Sequence, residues 1–298
     1  MKPALFDYYA PATVEEATSL LARHGGDARV LAGGQTLLPM MNFRLATPEI
    51  VVDLNRVAEL SYIKSEGGMV RFGAMTRQRA IEFSPIVARD VPLLLEAIRM
   101  VGHLPTRSRG TIGGSIANAD SAAEIPMVLQ ALGGEVSLRS ARGKRTVAAA
   151  DLIQDAMTTV IEADEIITEI RMPLMPRDAR FAVEEFSRRR GDFAIAAVAA
   201  MVVLDGGVCQ IARIATAGVS ACSRRLTKAE ATLEGRAADR AAVDAAAHAA
   251  AAAIEPLEDR NASADYRRHL TRVLTARALG RAIGMTAASP AQHAEATR

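Results

Sequence analysis

Val30-Leu31-Ala32-Gly33-Gly34-Gln35-Thr36-Leu37-Leu38-Pro39-Met40-Met41 is the stretch on which the reading of this chain turns. A short apolar run reaches a glycine pair, a polar pair follows, and apolar residues at helical spacing (Leu37, Leu38, Met41, Leu45) come at once. That is strand, tight turn, helix. Glycines permit positive φ and close approach of an anion, and the amides freed at such a turn point one way, so the stretch outlines a phosphate cradle. A second stretch, Gly110-Thr111-Ile112-Gly113-Gly114-Ser115-Ile116-Ala117-Asn118-Ala119-Asp120, repeats the glycine pair and leads into a polar run with carboxylates (Ser115, Asn118, Asp120, Glu124).

Four other glycine pairs, at 25–26, 67–68, 133–134 and 206–207, sit between a helix and a strand or at a hairpin tip, where a turn accounts for them. The chain has no Gly-x-x-x-x-Gly-Lys-Ser/Thr, which excludes a P-loop nucleotide hydrolase, and no Gly-x-Gly-x-x-Gly with a trailing acid, which argues against a dinucleotide fold of the Rossmann kind.

Composition narrows the classes further. A chain of 298 residues is long for one core and suits two or three packed units. A formal charge of +2 with acids and bases interspersed, and 4% aromatic residues, gives neither the electrostatic footprint nor the stacking surfaces of a nucleic-acid binder. No apolar run is long enough to span a bilayer, and Met1-Lys2-Pro3-Ala4 leads directly into patterned sequence without a signal segment, so the expectation is a soluble, cytoplasmic chain with no membrane insertion. Cys209 and Cys222 are the only cysteines, too few for an iron–sulfur cluster or a cysteine zinc site, and the five histidines show no ligand spacing. No catalytic residue and no metal ligand can be nominated.

Taken in order, Phe6 and Tyr8 lie in a short strand, and Thr13 with Glu16 reads as a capping box before a helix through Leu20 and Leu21. Strands follow at 29–32 and 50–54, a hairpin at 62–72, and helices from Thr76 and Pro92, the latter closed by Gly102. Next comes a loop carrying Arg107, Arg109 and the second glycine pair. A helix through Ile125, Val128, Leu129 and Leu132 precedes strands at 135–138 and 165–172. Pro173-Leu174-Met175-Pro176 is the best linker signal. Beyond it a long hairpin flanks Asp205-Gly206-Gly207, and helices are predicted from Thr227, about Ala238 and Ser263. The expected division is 1–175, with subdomains of about 1–56 and 57–175, then 176–286, then a flexible tail over 287–298.

Ala32-Gly33-Gly34-Gln35-Thr36 and Thr111-Ile112-Gly113-Gly114-Ser115 resemble, in this order and at this separation, the two flavin-binding motifs of the FAD-binding medium subunit of molybdenum hydroxylases, the carbon monoxide dehydrogenase and xanthine dehydrogenase group. Ala119-Asp120-Ser121-Ala122-Ala123-Glu124-Ile125-Pro126, Asp164-Glu165-Ile166-Ile167 with Met172-Pro173, and Phe186-Ser187-Arg188-Arg189-Arg190-Gly191-Asp192-Phe193-Ala194 extend the likeness over most of the chain.

The resemblance implies an α+β fold, a vanillyl-alcohol-oxidase type FAD domain of two subdomains followed by a small sheet-and-helix domain. It also implies that both glycine stretches offer amides to the diphosphate, with hydroxyls from Thr36, Thr111 and Ser115. Asp120 and Glu124 would accept from sugar hydroxyls, and Ile161 and Phe193 would lie near the isoalloxazine. Three positions depart from the family's habit: Asn118 stands for His, Glu124 for Asp and Glu185 for Lys. The last exchange puts an acid where the redox ring is expected, which would disfavour an anionic reduced flavin.

The implied role is that of an electron outlet. FAD in this chain would receive electrons from [2Fe-2S] clusters in a small subunit, themselves fed by a molybdopterin cofactor in a large subunit, and would pass them to an external acceptor. The implied assembly is a dimer of heterotrimers. A free-standing flavin oxidase of the same fold, and a non-catalytic assembly subunit that has lost flavin, are the alternatives.

Overall fold

The computed structural model describes residues 2–256 and 258–285. The flexible tail expected over 287–298 lies outside the described residues. Three sheets organise the chain. The first is a parallel trio in which Ile50–Asp53 lies between Asp7–Tyr9 and Ala28–Leu31. The helix Val14–His24 packs Val14, Ala17 and Leu21 onto it, against Ile50, Val52 and Leu54. Thr13 caps that helix by accepting from the Glu16 amide, while the Glu16 carboxylate reaches back one residue further than a capping box requires, to the Ala12 amide.

The second sheet is antiparallel, in the order Ile63–Glu66, Met69–Gly73, Ile166–Pro173, Glu135–Ser140, Gly143–Ala148. The helices Pro92–Ile98, Ile112–Asn118 and Glu124–Leu132 help build the core over it, around Phe72, Leu94, Ile116 and Ile170, all fully buried. Residues 174–179 then cross to a four-stranded antiparallel sheet formed by Arg180–Phe186, Ala196–Asp205, Val208–Ala217 and Arg224–Arg225. The crossing is tied down: the Leu174 amide donates to Gly68 and the Met175 amide to Asp90.

The strand Ala196–Asp205 is buried on both faces, and its two-residue period sorts its side chains between two cores. Ala196, Val198, Ala200 and Val202 face the C-terminal helices Arg240–Ala253 and Ala264–Ile283, whereas Ala197, Ala199 and Met201 join the core of the second sheet. The neighbouring strand Arg180–Phe186 obeys the same alternation. Ala182 and Glu184 turn toward the C-terminal helices, where Arg281 pairs with Glu184, and Val183 and Glu185 turn toward the helices over the second sheet.

Several local expectations change. The region of Arg107 and Arg109 is a short helix, Leu104–Arg109, not a loop. The helix after the first glycine pair ends at Asn42, leaving Leu45 75% exposed. Gly113 and Gly114 lie inside the first turn of the helix Ile112–Asn118, capped by Thr111, not in a turn of their own. The strands Gly143–Ala148 and Arg180–Phe186 have no counterpart in the sequence reading. Among the described residues no helix is long and apolar enough to cross a membrane.

Candidate functional site

The strand Ala28–Leu31 delivers the chain into the loop Ala32–Thr36, and the helix Leu37–Asn42 carries it away. Of the five glycines in the two stretches only Gly34 holds a positive φ, 72°. Gly33 is required for a different reason. A Cβ there would stand 2.5 Å from the Arg109 carbonyl oxygen and 2.8 Å from the Gly110 Cα, so the two stretches meet backbone to backbone. Among the described residues, the amides of Gly33, Gly34, Gln35 and Thr36 donate to no protein acceptor. Four unspent donors therefore converge on one loop, while Gln35 Nε2 donates back to the Gly33 carbonyl at 3.3 Å.

The second stretch is built differently from the expectation that both would offer amides. The Ile112 amide donates to Thr76 at 3.0 Å, Gly113 to Ala74 at 2.9 Å, Gly114 to Thr111 Oγ1 at 3.0 Å and Ser115 to the Thr111 carbonyl at 3.1 Å. Its donors are spent inside the fold. Its glycines serve packing: a Cβ on Gly113 would lie 2.6 Å from Ala74, and one on Gly114 2.8 Å from Thr111 Oγ1 and 3.4 Å from the Ala32 Cβ. Neither has a positive φ, so contact and not backbone conformation requires a glycine there. Thr111 is buried and its hydroxyl is the helix cap, whereas Ser115 is half-buried one turn on.

The carboxylates follow. Asn118 ends the helix Ile112–Asn118, Ala119 turns at φ 48°, and Asp120 spends Oδ1 on the Ala122 amide at 2.9 Å. Glu124, 7% exposed, opens the helix Glu124–Leu132. Burial first, then the charge of Glu185 and that of Asp120, push its carboxyl up to about 8. Glu185 arrives from the C-terminal sheet, and burial pushes it up to about 7, with its Oε2 buried and without a hydrogen-bond partner among the described residues. Near neutral pH each of these carboxyls can donate as well as accept a hydrogen bond.

Ile161 packs half-buried against the core of the second sheet. Phe193 is 70% exposed, in the bend after Arg180–Phe186. Gly191 (φ 88°) brings that bend against His103, whose ring would lie 2.5 Å from an added Cβ. The residues that join the two stretches were absent from the sequence reading. Asn55 Nδ2 donates to the Ala32 carbonyl at 3.0 Å, and Arg77 bridges Asn55 Oδ1 to the Arg109 carbonyl. Nothing local to either residue signals this, because the bridge exists only once the two subdomains dock.

Residues 4–175 match the family of FAD-binding domains in molybdopterin dehydrogenases, and residues 181–282 match the C-terminal domain of carbon monoxide dehydrogenase flavoproteins. The chain is 39% identical over 284 residues to the 6-hydroxypseudooxynicotine dehydrogenase complex subunit alpha of Paenarthrobacter nicotinovorans, covering 95% of this chain and 96% of that one. It is 39% identical over 282 residues to the carbon monoxide dehydrogenase medium chain of Afipia carboxidovorans, covering 95% and 98%. Its fold superposes on a chain of the carbon monoxide dehydrogenase from Hydrogenophaga pseudoflava, in a form lacking the Mo-pyranopterin moiety of the molybdenum cofactor, with a TM-score of 0.93 and 40% identity over 96% of this chain and 100% of that one. With both domains matched in order and relatives alike along almost their whole length, the chain belongs to the FAD-binding medium subunits of the molybdenum hydroxylases, oxidoreductase components of the carbon monoxide dehydrogenase and xanthine dehydrogenase family.

Proposed function

We propose that this chain holds FAD between its two glycine stretches and passes electrons from the [2Fe-2S] clusters of a small subunit to an external acceptor. The observation that carries the reading is the loop Gly33–Thr36: four amides without protein acceptors, beside a contact with no room for a Cβ. That is what a diphosphate needs, and each hydrogen bond to a charged oxygen contributes about 1.5–3 kcal/mol net. When bound, FAD supplies a two-electron store. The protein's own part is to seat and tune it. Ala32 to Thr36 hold the diphosphate from one side, and Thr111, Ile112, Gly113, Gly114 and Ser115 close the other side by shape, with the Ser115 hydroxyl as a donor. Asn118, Asp120 and Glu124 meet sugar or ribityl hydroxyls, Ile161 and Phe193 border the ring, and Glu185 sets the electrostatics at its edge.

The chain is incomplete as a dehydrogenase. Two cysteines cannot supply the four thiolates of a cluster. Both named relatives are components of larger enzymes by their names, a complex subunit and a medium chain. The reading is therefore of an iron–sulfur small subunit and a molybdenum-cofactor large subunit as partners, in a cytoplasmic dimer of heterotrimers. Affinity capture of this chain from its native host, followed by flavin, iron and molybdenum analysis, tests it. FAD equimolar with the chain, together with iron and molybdenum in accompanying subunits, is the expected result. A preparation with flavin but no partners would favour a free-standing oxidase, and one with partners but no flavin an assembly subunit.

A further inference from the structure

Two arginines, Arg77 and Arg109, stand where the glycine stretches meet, and among the described residues neither pairs with an acid. Arg77 is half-buried. It donates through Nη1 to the Arg109 carbonyl, the same oxygen that a Cβ on Gly33 would strike, and through Nη2 to Asn55 Oδ1. Asn55 is itself held. Its amide donates to Asp53 Oδ1 at 2.9 Å, Asp53 Oδ2 accepts from the Tyr8 hydroxyl at 2.6 Å, and Asn55 Nδ2 donates to the Ala32 carbonyl. The relay Tyr8–Asp53–Asn55–Arg77 thus runs from the first sheet, past the first glycine loop, to the backbone leading into the second.

A guanidinium carries five N–H donors, and this one spends two of them on uncharged oxygens. Among the described residues neither Arg77 nor Arg109 makes an ion pair, and the exposed Arg109 side chain makes no hydrogen bond. Burial first, and then the Arg109 charge, press the pKa of Arg77 below its ordinary value, with Asp53 opposing. The fold therefore holds two cations within electrostatic reach of one another, at the loop that also presents four unspent amides. Like charges held together without a countercharge cost free energy that an anion beside them recovers.

We infer that Arg77 and Arg109 form a cationic clamp for a diphosphate at this junction, with Arg77 seated by Asn55 and the Arg109 carbonyl. The inference rests on the proposed flavin site and extends it, because the amides supply shape and direction whereas the arginines supply the opposite charge. The ligand chemistry is a diphosphate ester, which FAD and a free adenine nucleotide share. Riboflavin, which has the ring and no phosphate, is the internal control.

The test uses the full apo-chain titrated with FAD, ADP and riboflavin, in wild type and in Arg109→Met, Arg77→Met and Arg77→Lys. Arg109→Met removes a side chain that contacts no acceptor in the fold, so it isolates charge from structure. The expected result for Arg109→Met is an unchanged Tm and riboflavin affinity, with FAD and ADP affinities lower by about tenfold, as one charge-assisted contact supplies. The salt dependence of FAD binding should also be shallower than in wild type. Arg77→Met should lose at least as much, and Arg77→Lys should recover part of the loss because it restores the charge without the fork. FAD binding by Arg109→Met and Arg77→Met at wild-type strength would overturn the clamp while leaving the flavin site intact. Parallel loss of riboflavin and FAD in Arg77→Met, with Arg109→Met unaffected, would reduce Arg77 to a strut of the fold and overturn it as well. Wild-type chain that binds ADP but no flavin would refute the flavin reading alone, provided Arg109→Met weakens ADP. Wild-type chain that binds none of the three would refute both.

Discussion

Glu124, at the start of the helix Glu124–Leu132, is buried, and Glu185, on the strand Arg180–Phe186, is half-buried and near enough for its charge to act on Glu124, with no cation paired to either among the described residues. Strand alternation makes this so. Glu184 points the other way and takes Arg281, leaving Glu185 on the face of Val183, toward the core that includes Ile125.

Stability should fall with rising pH because of this pair. Both groups stand above the value of 4.5 that they take in the unfolded chain, Glu124 at about 8 and Glu185 at about 7. The folded state thus binds more protons than the unfolded state across that window. Their stabilising contribution is full below the unfolded value of 4.5 and is lost as pH rises from there through the folded values. Asp90, lowered to about 2 by its Arg89 partner, acts in the opposite sense but only at more acid pH. Thermal unfolding at about pH 5.5 and about pH 8 should show a decline in Tm that Glu124→Gln flattens. An identical decline in wild type and Glu124→Gln would contradict the assignment.

Glu185→Lys should replace the carboxyl pair by an ion pair, drawing Glu124 back toward ionisation and placing a cation at the edge of the proposed ring site. Such a charge favours an anionic reduced flavin, so the two-electron potential of the bound flavin should rise. Redox titration of the FAD-loaded chain is the measurement, and a potential unchanged or lowered would show that position 185 does not sense the ring.

The glycines should rank by what an added Cβ would meet. Gly33→Ala drives a methyl against the Arg109 carbonyl, a backbone atom that cannot swing aside, so it should cost about 1–3 kcal/mol and empty the flavin site. Gly34→Ala adds strain of about 1–2 kcal/mol at a positive φ. Gly114→Ala should be the mildest, since its tightest neighbour is a hydroxyl and its next, the Ala32 Cβ, is at ordinary contact distance. Flavin occupancy after gel filtration and Tm read the order, and full occupancy in Gly33→Ala would break it.

Arg267 is 4% exposed and holds the C-terminal unit together. Its guanidinium donates to the carbonyls of Ile195 and Gly218 and pairs with Asp259 at 2.8 Å. The Gly218 amide in turn donates to Ser121 at 2.6 Å. Arg267→Met should destabilise by about 1–3 kcal/mol for each carbonyl left without a donor, read as a lower urea midpoint. An unshifted midpoint would show that water replaces the side chain.

Much of this architecture was legible because its signals are local. Thr13 and Ser263 announce their helices by capping, and the Gly206–Gly207 hairpin is written in apolar runs on either side of a turn. The edge strand Gly143–Ala148 was not, because only Val147 faces inward and the remaining positions are solvated, so no alternation shows. The short helix Leu104–Arg109 begins at His103 without a side-chain cap. In the site, the glycine stretches were visible as motifs, but their division of labour was not. Whether the Gly113 amide is free or bonded to Ala74 depends on the turn after the strand Met69–Gly73, which sits elsewhere in the sequence. Arg77 and Asn55 were invisible for the same reason, and so was the coupling of Glu124 to Glu185.

The central claim, that this chain is an electron outlet fed by a partner, is tested most directly by anaerobic rapid mixing of the oxidised, FAD-loaded chain with the proposed iron–sulfur small subunit, reduced beforehand. Loss of the oxidised-flavin absorbance in step with reoxidation of the cluster is the predicted result. Flavin that stays oxidised beside a cluster that stays reduced would contradict it.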